Sequence, residues 1–325
     1  MKKILIIIAL TAASCSLHPA LEPDSASDEA TNDVTVRVSR PFTRVTGISE
    51  EDEAAINSLQ VFVFDSDGDI DAAGQGSGES LSLNVTTGKG KRLWAVANAP
   101  ELTGISREEE LRGSVSSLTD NSPQNLVMAG NTTADIISDT EISISLVRLV
   151  AKLSVRSITR DFSASGLAAR PLTVKGLYLI NAPAEMRLDG DGDVSGWLNC
   201  GGFASSGADR MLSDRGLNIN LSNSATYSTA HSFYCYPNPC TTDSAEEDWC
   251  PRKTRLVLEA ELDGSLCYYS LTFPEIRRNC SYTIENLTLS GKGSTEPDTP
   301  YGRESLNASL TVRDWQDGSS YTEKL

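Results

Sequence analysis

Two segments of the chain carry aspartates at alternate positions, a spacing that could present carboxylates to a metal ion. They are Asp65, Asp67, Asp69 and Asp71 in the first segment and Asp189, Asp191 and Asp193 in the second. An EF-hand loop requires Gly at its sixth position and Glu at its twelfth. The sixth positions here hold Ile70 and Val194, and the twelfth hold Gly76 and Cys200. We therefore predict hairpin turns, because Asp-Gly adopts positive φ easily, and no metal; a weak calcium site is the alternative.

Cys15 stands at the end of an N-terminal segment with the features of an export signal. Residues 2 and 3 are lysines, residues 4–10 are apolar, and small residues 11–14 lead directly to the cysteine. The apolar run is too short to cross a bilayer, which takes about 20 apolar residues. The arrangement is similar to a lipobox, in which the cysteine thiol receives a diacylglycerol. We predict a signal peptide at residues 1–14 and a lipid on Cys15 that holds the protein in the outer membrane. An acidic tether follows to residue 33; an ordinary signal peptide is the alternative.

The remaining six cysteines all fall in the second half of the chain. They are Cys200, Cys235, Cys240, Cys250, Cys267 and Cys280. An even number of cysteines in an exported protein is consistent with disulfides, although six thiols allow many pairings. Free buried thiols are the second interpretation. A zinc site is the least supported, because no CxxC pair occurs and His231 is the only imidazole nearby.

Composition argues against several classes of function. The chain has 325 residues, a formal net charge of −16 at pH 7 and only two histidines, His18 and His231. An acidic surface repels phosphate backbones, so we predict no nucleic-acid partner. The scarcity of imidazoles leaves little for histidine-based catalysis, and the sequence lacks GxSxG, HExxH and Walker A patterns. We predict that the protein is not an enzyme and needs no cofactor.

The hydrophobic pattern predicts an all-β protein. Alternating or continuous apolar runs indicate strands at residues 34–38, 59–64, 80–85, 91–97, 142–146, 151–155, 172–180, 217–221, 254–262, 267–273, 282–290 and 306–315. Their spacing suits β-sandwiches rather than βαβ units. One helix is predicted over residues 106–118, with Ser106 and Glu109 as a capping box. We place a domain boundary near Ser145, which gives domains at residues 34–145 and 146–325.

Several of these segments recur in an order typical of one protein family. The first group covers residues 34–46, 50–53 and 59–65; the second covers 92–100, 126–130 and 147–155; the third covers 268–271, 278–284, 289–294 and 312–315. This ordered set resembles the type V fimbrillins, the pilin superfamily of Bacteroidia-type bacteria. The resemblance extends over nearly the whole chain and is weakest over residues 185–250, where most of the cysteines cluster.

The resemblance implies two tandem transthyretin-like Greek-key β-sandwich domains, with one short helix in the first. It also implies export as a lipoprotein and a cut by an Arg-specific protease that releases the first strand. That strand carries Val34, Val36 and Val38. The cut is expected after Arg44, because Arg37 lies inside the strand and Arg40 precedes proline; a solvated loop role for Arg44 is the alternative. A terminal strand of the next subunit then fills the vacated groove.

The C-terminal segment is the expected donor of that strand. Its apolar residues alternate, and an aromatic anchor follows them: Leu306, Ala308, Leu310, Val312 and Trp315. The same strand could instead close its own sandwich, or do both at different stages of assembly. The residues that continue from Trp315 to Leu325 resemble those of polymerising stalk subunits more than a tip protein with a blocked end.

The leading hypothesis is therefore a structural fimbrial subunit that polymerises by strand exchange and supports adhesion. Its expected partners are other fimbrial subunits, an Arg-specific protease and, through the lipid, the outer membrane. A fimbrial tip or anchor subunit is a close variant. A monomeric glycan-binding surface lipoprotein is the alternative from another class, and its aromatic platform would use Trp197, Trp249, Tyr234 and Tyr236.

Overall fold

The computed structural model describes residues 30–41, 50–241, 243, 252–299, 306–314 and 320–324. The first half contains β1 Thr31–Ser39, β2 Leu59–Phe64, β3 Ile70–Gly76, β4 Ser80–Thr86, β5 Gly88–Ala97, β6 Val115–Ser117, β7 Met128–Ile136, β8 Thr140–Ser145 and β9 Val147–Arg148. The second half contains β10 Ala151–Val155, β11 Ile158–Arg160, β12 Leu172–Ile180, β13 Ala182–Pro183, β14 Glu185–Arg187, β15 Trp197–Leu198, β16 Ser213–Asn220, β17 Thr226–Tyr227, β18 His231–Cys235, β19 Arg255–Leu262, β20 Ser265–Thr272, β21 Cys280–Leu289, β22 Leu306–Asp314 and β23 Ser320–Lys324. Short helices are α1 Glu50–Glu53, α2 Glu108–Gly113, α3 Ser165–Ala168 and α4 Asp209–Leu212, with a 3₁₀ turn at Leu118–Asp120. The protein is mostly β, as predicted.

Two sheets of the first half pack face to face. One has the strand order β3-β2-β5-β7-β9 and the other the order β4-β1-β8. Their facing side chains form one buried core, in which Val36 of β1, Val61 of β2 and Leu93 of β5 are fully buried. Every residue of β2 is buried, which explains why its sequence is mostly apolar, with Gln60 as its one polar residue, rather than alternating.

The second half also contains two larger sheets. One has the order β16-β12-β19-β20. In the other, β21 is central: β10 and β11 pair in parallel with one of its edges, and β22 pairs antiparallel with the other. Strands β18 and β17 lie outside β10 and β11, and β23 lies outside β22. The C-terminal hairpin therefore forms one margin of this sheet.

The two halves share a continuous apolar core. Phe62, Phe64 and Trp94 project from the second face of the five-stranded sheet and belong to the same buried cluster as the core of the second half. Strand β6 also pairs with β14 across the two halves. The predicted boundary near Ser145 is followed by β9, which still pairs with β7 of the first half.

The predicted helix over residues 106–118 is wrong in its length. Helix α2 covers only Glu108–Gly113, and Val115–Ser117 form a strand that pairs with β14. The carboxylate of Glu110, not of Glu109, accepts hydrogen bonds from the backbone N–H groups of Ser106 and Arg107 at 2.8 and 3.0 Å. Pairing with a strand 70 residues away has overridden the local helical pattern.

The hydrophobic pattern does not predict strand β7, because the sequence of this strand contains Gly130 and several polar residues. A Cβ atom at Gly130 would lie 2.2 Å from the carbonyl oxygen of Ser145, so the close approach of β7 to the end of β8 requires glycine. Strand β7 pairs antiparallel with β5, from Met128 opposite Ala97 to Ile136 opposite Gly88.

The first group of alternating aspartates forms the predicted hairpin turn, between β2 and β3, whereas the second group forms a turn between β14 and β15, which belong to different sheets. In the turn between β2 and β3, Asp65 Oδ1 accepts hydrogen bonds from the N–H groups of Asp67 and Asp69 at 2.8 and 3.0 Å, and Gly68 has a φ of +89°. Asp189 Oδ1 likewise accepts from the N–H of Asp191 at 3.0 Å. Within the described ranges, no three potential metal ligands come together. No helix in the same part of the chain is long and apolar enough to cross a membrane.

Candidate functional site

The first strand of the chain occupies the middle of a sheet. Strand β1 pairs antiparallel with β4 and in parallel with β8, and it alone joins these two strands into one sheet. Val34, Val36 and Val38 point into the core and are 0%, 0% and 5% exposed. Burying each valine stabilises the folded chain by about 1.5–3 kcal/mol, so the three together hold β1 with roughly 5–9 kcal/mol.

Polar contacts on the outer face of β1 add little to this. Thr35 Oγ1 lies 2.9 Å from Ser82 Oγ, Arg37 pairs with Glu141 at 2.8 Å, and all these groups are exposed or half-buried. Exposed ion pairs of this kind contribute about 0–1 kcal/mol. The strand is thus held mainly by apolar burial and by its two hydrogen-bond ladders.

Removing β1 would open an apolar slot with two unpaired edges. Neighbouring strands lie about 4.8 Å apart, so β4 and β8 are separated by about twice that distance, the width of one strand. Both edges would present free N–H and C=O groups, a template for another strand. The site can therefore bind one extended, alternating apolar segment.

The C-terminal strand β22 has the required pattern and lies within its own sheet. Leu306, Ala308, Leu310 and Val312 are buried, and the strand pairs with β21 on one side and β23 on the other. This is the arrangement in which the strand closes its own sandwich. Because β23 is the only strand outside it among the described residues, the hairpin can leave by breaking one ladder with the body of the sheet. Its role as a donor stays a prediction.

Four predicted site residues lie outside the described residues: Cys15, Arg44, Cys250 and Trp315. In the sequence, Arg44 lies in the connection between β1 and α1. Lipidation at Cys15, processing at Arg44 and the anchor role of Trp315 stay predictions.

Immediately after this connection, Glu53 lies at the centre of a buried polar cluster. Its Oε1 accepts hydrogen bonds from Lys152 Nζ and from the Tyr234 hydroxyl, both at 2.5 Å. Arg148 Nε donates to the Glu53 carbonyl oxygen at 3.0 Å. Burial lowers the pKa of Arg148 to about 10, and the nearby Glu53 charge opposes this shift. The cluster ties α1 of the first half to β10 and β18 of the second.

A second carboxylate, that of the half-buried Asp298, lies shortly before β22. It pairs with Arg252 and Arg255 and accepts a hydrogen bond from Asn181 Nδ2 at 2.9 Å. Arg255 is fully buried and also contacts Asp243 at 2.5 Å. Glu53 follows β1 in the sequence, and Asp298 precedes β22. Each strand that is expected to move is therefore close to a residue that ion pairs hold to the body of the protein.

Sequence reasoning missed both clusters. The acidic residues 50–53 belong to the family pattern without a predicted role, and the alternation of residues 151–155 predicts that Lys152 faces outward. The available signal was the placement of Arg148 and Lys152 among apolar neighbours at residues 146–153. A buried cation requires a carboxylate partner, but the sequence does not say which of 44 acids supplies it.

The predicted disulfides do not form among the described cysteines. Cys200, Cys235, Cys240 and Cys267 are free thiols. Cys235 and Cys280 lie on opposite sides of Ala151, on strands two spacings or about 9.6 Å apart, whereas a disulfide needs Cα atoms closer than about 7 Å. Burial raises the pKa of the Cys235 thiol. Cys250 lies outside the described residues, so only a bond to Cys250 stays a prediction.

The aromatic platform predicted for a glycan-binding protein is not assembled. Tyr234 and Tyr236 are 1% and 0% exposed, and the hydroxyl of Tyr236 donates to Ser116 Oγ at 2.9 Å. Trp197 is half-buried in β15, and Trp249 lies outside the described residues. A cleft of about 680 Å³ beside β14 is lined by charged, proline and aliphatic residues and by no described aromatic ring. Tyr234 and Tyr236 are therefore core residues.

Part of the first half of the chain matches a known protein family. Residues 33–144, which contain β1, β4 and β8, match the family described as the major fimbrial subunit protein (FimA). No curated protein sequence matches the chain.

Solved structures share the fold over most of the chain. A proposed cell adhesion protein from Bacteroides eggerthii DSM 20697 gives a TM-score of 0.68 at 20% identity and covers 88% of this chain and 96% of its own. The fimbrilin FimA from Porphyromonas gingivalis W83 gives 0.64 at 17% identity, covering 88% and 98%. The tip fimbrial protein Mfa3 of Porphyromonas gingivalis, with a C-terminal truncation, gives 0.50 at 13% identity, covering 88% and 100%. Identities this low show a common fold.

The family match confirms the resemblance that the ordered segments indicated. It also confirms that the protein is not an enzyme, since the family consists of structural subunits. Residues 33–144 of the chain therefore match the major fimbrial subunit protein (FimA) family, and the fold of a solved fimbrilin extends over 88% of the chain.

Proposed function

We propose that the protein is a structural fimbrial subunit that polymerises by strand exchange after proteolysis and supports adhesion at the cell surface. Its two halves would be tandem transthyretin-like sandwiches, exported as a lipoprotein through Cys15. The observation that carries the proposal is the position of β1. The first strand of the chain fills the middle of a sheet and provides three core valines, so its loss creates a strand-shaped vacancy.

A cut after Arg44 changes the thermodynamics of β1 without altering its contacts. Before the cut, β1 is part of the same chain as its slot, and its effective concentration there is in the millimolar range. After the cut, the strand can dissociate and be diluted. Because β1 then no longer has this high effective concentration at its slot, a strand from a neighbouring subunit can replace it more readily.

Strand β22 of a second copy is the replacement that we propose. It contains nine residues, the same number as β1, and its apolar side chains alternate in the same way. In its own subunit it is part of a marginal hairpin, whereas β1 is central in its sheet. Exchange therefore transfers a strand from a peripheral position to one with two complete ladders.

The residues beyond β22 favour a stalk subunit over a tip. Strand β23 follows β22 and pairs with it from Ser309 to Arg313, so the C-terminus carries a further strand that can accompany the donor. A tip or anchor subunit of the same fimbria is the second candidate, and mixing experiments distinguish them.

The proposal is tested by treating the purified protein with an Arg-specific protease and examining it by SDS–PAGE without boiling. A stalk subunit should lose its N-terminal segment and form an SDS-resistant ladder. A tip or anchor subunit should be cut, remain monomeric alone and join a ladder only when mixed with another fimbrial subunit. A protein that is cut and forms no multimer under either condition would contradict strand exchange.

A further inference from the structure

We infer that the donor strand enters the slot of a second copy in one register, with Ala308, Leu310 and Val312 at the sites of Val34, Val36 and Val38. This inference rests on the proposed strand exchange and names the alignment that the acceptor selects. It is argued from the side chains of β1 and β22 and from the burial of each site that β1 now occupies.

The two strands carry the same short sequence in the same orientation. β1 contains Val34-Thr-Val-Arg37, and β22 contains Leu310-Thr-Val-Arg313. In both, the apolar residues are buried, the threonine is half-buried and the arginine is exposed. This common alternation indicates that β22 can run through the slot in the direction of β1, antiparallel to β4 and parallel to β8.

Superimposing the two Thr-Val-Arg sequences gives one register. Leu310 and Val312 then take the sites of Val34 and Val36, and Arg313 takes the site of Arg37. Arg313 would gain the pair with Glu141, whose side chain is 54% exposed. The same register forces Asp314 into the site of Val38, which is only 5% exposed.

The unfavourable free energy of burying Asp314 at the site of Val38 excludes that register. An exposed ion pair contributes little to stability, whereas an unpaired carboxylate in an apolar core is strongly unfavourable. Direct superposition therefore gains a weak contact and introduces a severe defect. The shared tripeptide therefore does not set the alignment of the donor strand.

Moving the donor by two residues removes the defect and keeps the same faces inward. Ala308, Leu310 and Val312 then fill the three buried sites, and Asp314 falls at the exposed site of Arg40. Asp314 there approaches Glu79, the present partner of Arg40, but solvent screens charges at an exposed site. Ala308 is smaller and Leu310 larger than the valines they replace at neighbouring sites, so the total volume is nearly conserved.

The two registers place different residues opposite Ser82 of the acceptor. Thr35 now faces Ser82, with their hydroxyl oxygens 2.9 Å apart. In the inferred register Ser309 takes this place; in the superimposed register Thr311 does. Both residues project outward, and Ser82 is exposed, so cysteines at these sites leave the core unchanged.

The test compares the full-length double variants Ser82→Cys/Ser309→Cys and Ser82→Cys/Thr311→Cys, with Ser82→Cys alone as the control for native cysteines. Each is cut with the Arg-specific protease, allowed to assemble, oxidised and boiled without reductant. Mass spectrometry of the bands identifies the cross-linked peptides. A second portion of each sample is kept reduced and is not boiled. An SDS-resistant ladder in this portion shows independently whether strand exchange occurs.

The inferred register predicts covalent multimers with Ser309→Cys and at least tenfold fewer with Thr311→Cys. The reverse preference, or ladders that neither pair cross-links, would overturn the register and leave strand exchange standing. Absence of ladders from all three variants and from the unmodified protein would overturn both.

Discussion

Glu53 and Lys152 form an ion pair inside the protein, with 2.5 Å between Oε1 and Nζ and side chains only 1% and 2% exposed. The pair joins the residue that ends α1 to a strand of the second half. It lies nine residues after Arg44, so it holds the chain that would remain once β1 is released. This relationship limits the released segment to the N-terminal side of α1.

Replacing Glu53→Gln should destabilise the intact protein strongly. Removal of one partner leaves Lys152 charged and buried, and such changes cost about 3–5 kcal/mol. The free energy of unfolding in urea measures the effect. The matched control is Asp263→Asn, which breaks the exposed pair with Arg170 and should cost less than about 1 kcal/mol. Equal losses in both variants would show that the Glu53 cluster has no special structural role.

Replacing Val36→Ala should weaken the intact subunit but not the polymer. The smaller side chain leaves a cavity in the first-half core, at a cost of about 2 kcal/mol. In the polymer, β1 has been replaced, so the variant and the unmodified protein should have ladders of equal heat stability. Thr35→Ala, on the outer face of β1, is the control. A ladder weakened by Val36→Ala would mean that β1 remains in the assembled subunit.

Replacing Arg44→Ala should abolish the cut and the ladder together. N-terminal sequencing of the protease product identifies the bond that is cleaved in the unmodified protein. Arg40→Ala is the matched control, because Arg40 precedes Pro41 and should not be the processing site. If Arg44→Ala still yields the same new N-terminus and the same ladder, the processing site is elsewhere.

Replacing Cys15→Ala should release the protein from the membrane. Burial of acyl chains supplies about 0.8 kcal/mol per methylene, so a cell that makes the lipidated form should retain it in the detergent phase of a Triton X-114 extraction. The variant should move to the aqueous phase. Cys200→Ala, at an exposed cysteine of the second half, should partition like the unmodified protein. Retention of Cys15→Ala in the detergent phase would contradict lipid attachment there.

Replacing Glu110→Gln should lower stability at neutral pH and have no effect in acid. Hydrogen bonds from the Ser106 N–H and hydroxyl and from the Arg107 N–H hold the pKa of Glu110 below its ordinary value of 4.5. A carboxylate whose folded pKa is depressed stabilises the fold above its unfolded pKa, and this contribution is lost as the pH falls through the folded pKa. Urea midpoints of the variant and the unmodified protein should therefore differ at pH 7 and converge below pH 4.5. A difference that persists unchanged in acid would contradict this origin.

Much of the proposed strand-exchange site can be predicted from the chain alone. The alternation of Val34, Val36 and Val38 places these residues on one face of any strand, because side-chain direction in a strand depends only on position along the backbone. The same local rule predicts the inward face of β22. The mostly β fold and the absence of catalytic patterns likewise follow from short segments and from composition, and the N-terminal segment predicts export.

The partners of those faces depend on contacts that are distant in the sequence. β1 pairs Val34 with Leu83 and Thr140, and Glu53 reaches Lys152 and Tyr234. The same long-range packing shortens α2, separates Cys235 from Cys280 and buries Tyr234 and Tyr236 in the core. Periodicity indicates which side of a strand is apolar, but many strands present the same pattern. Only the joint packing of the sheets selects among them, because the free energy of each pairing includes the burial of every neighbour.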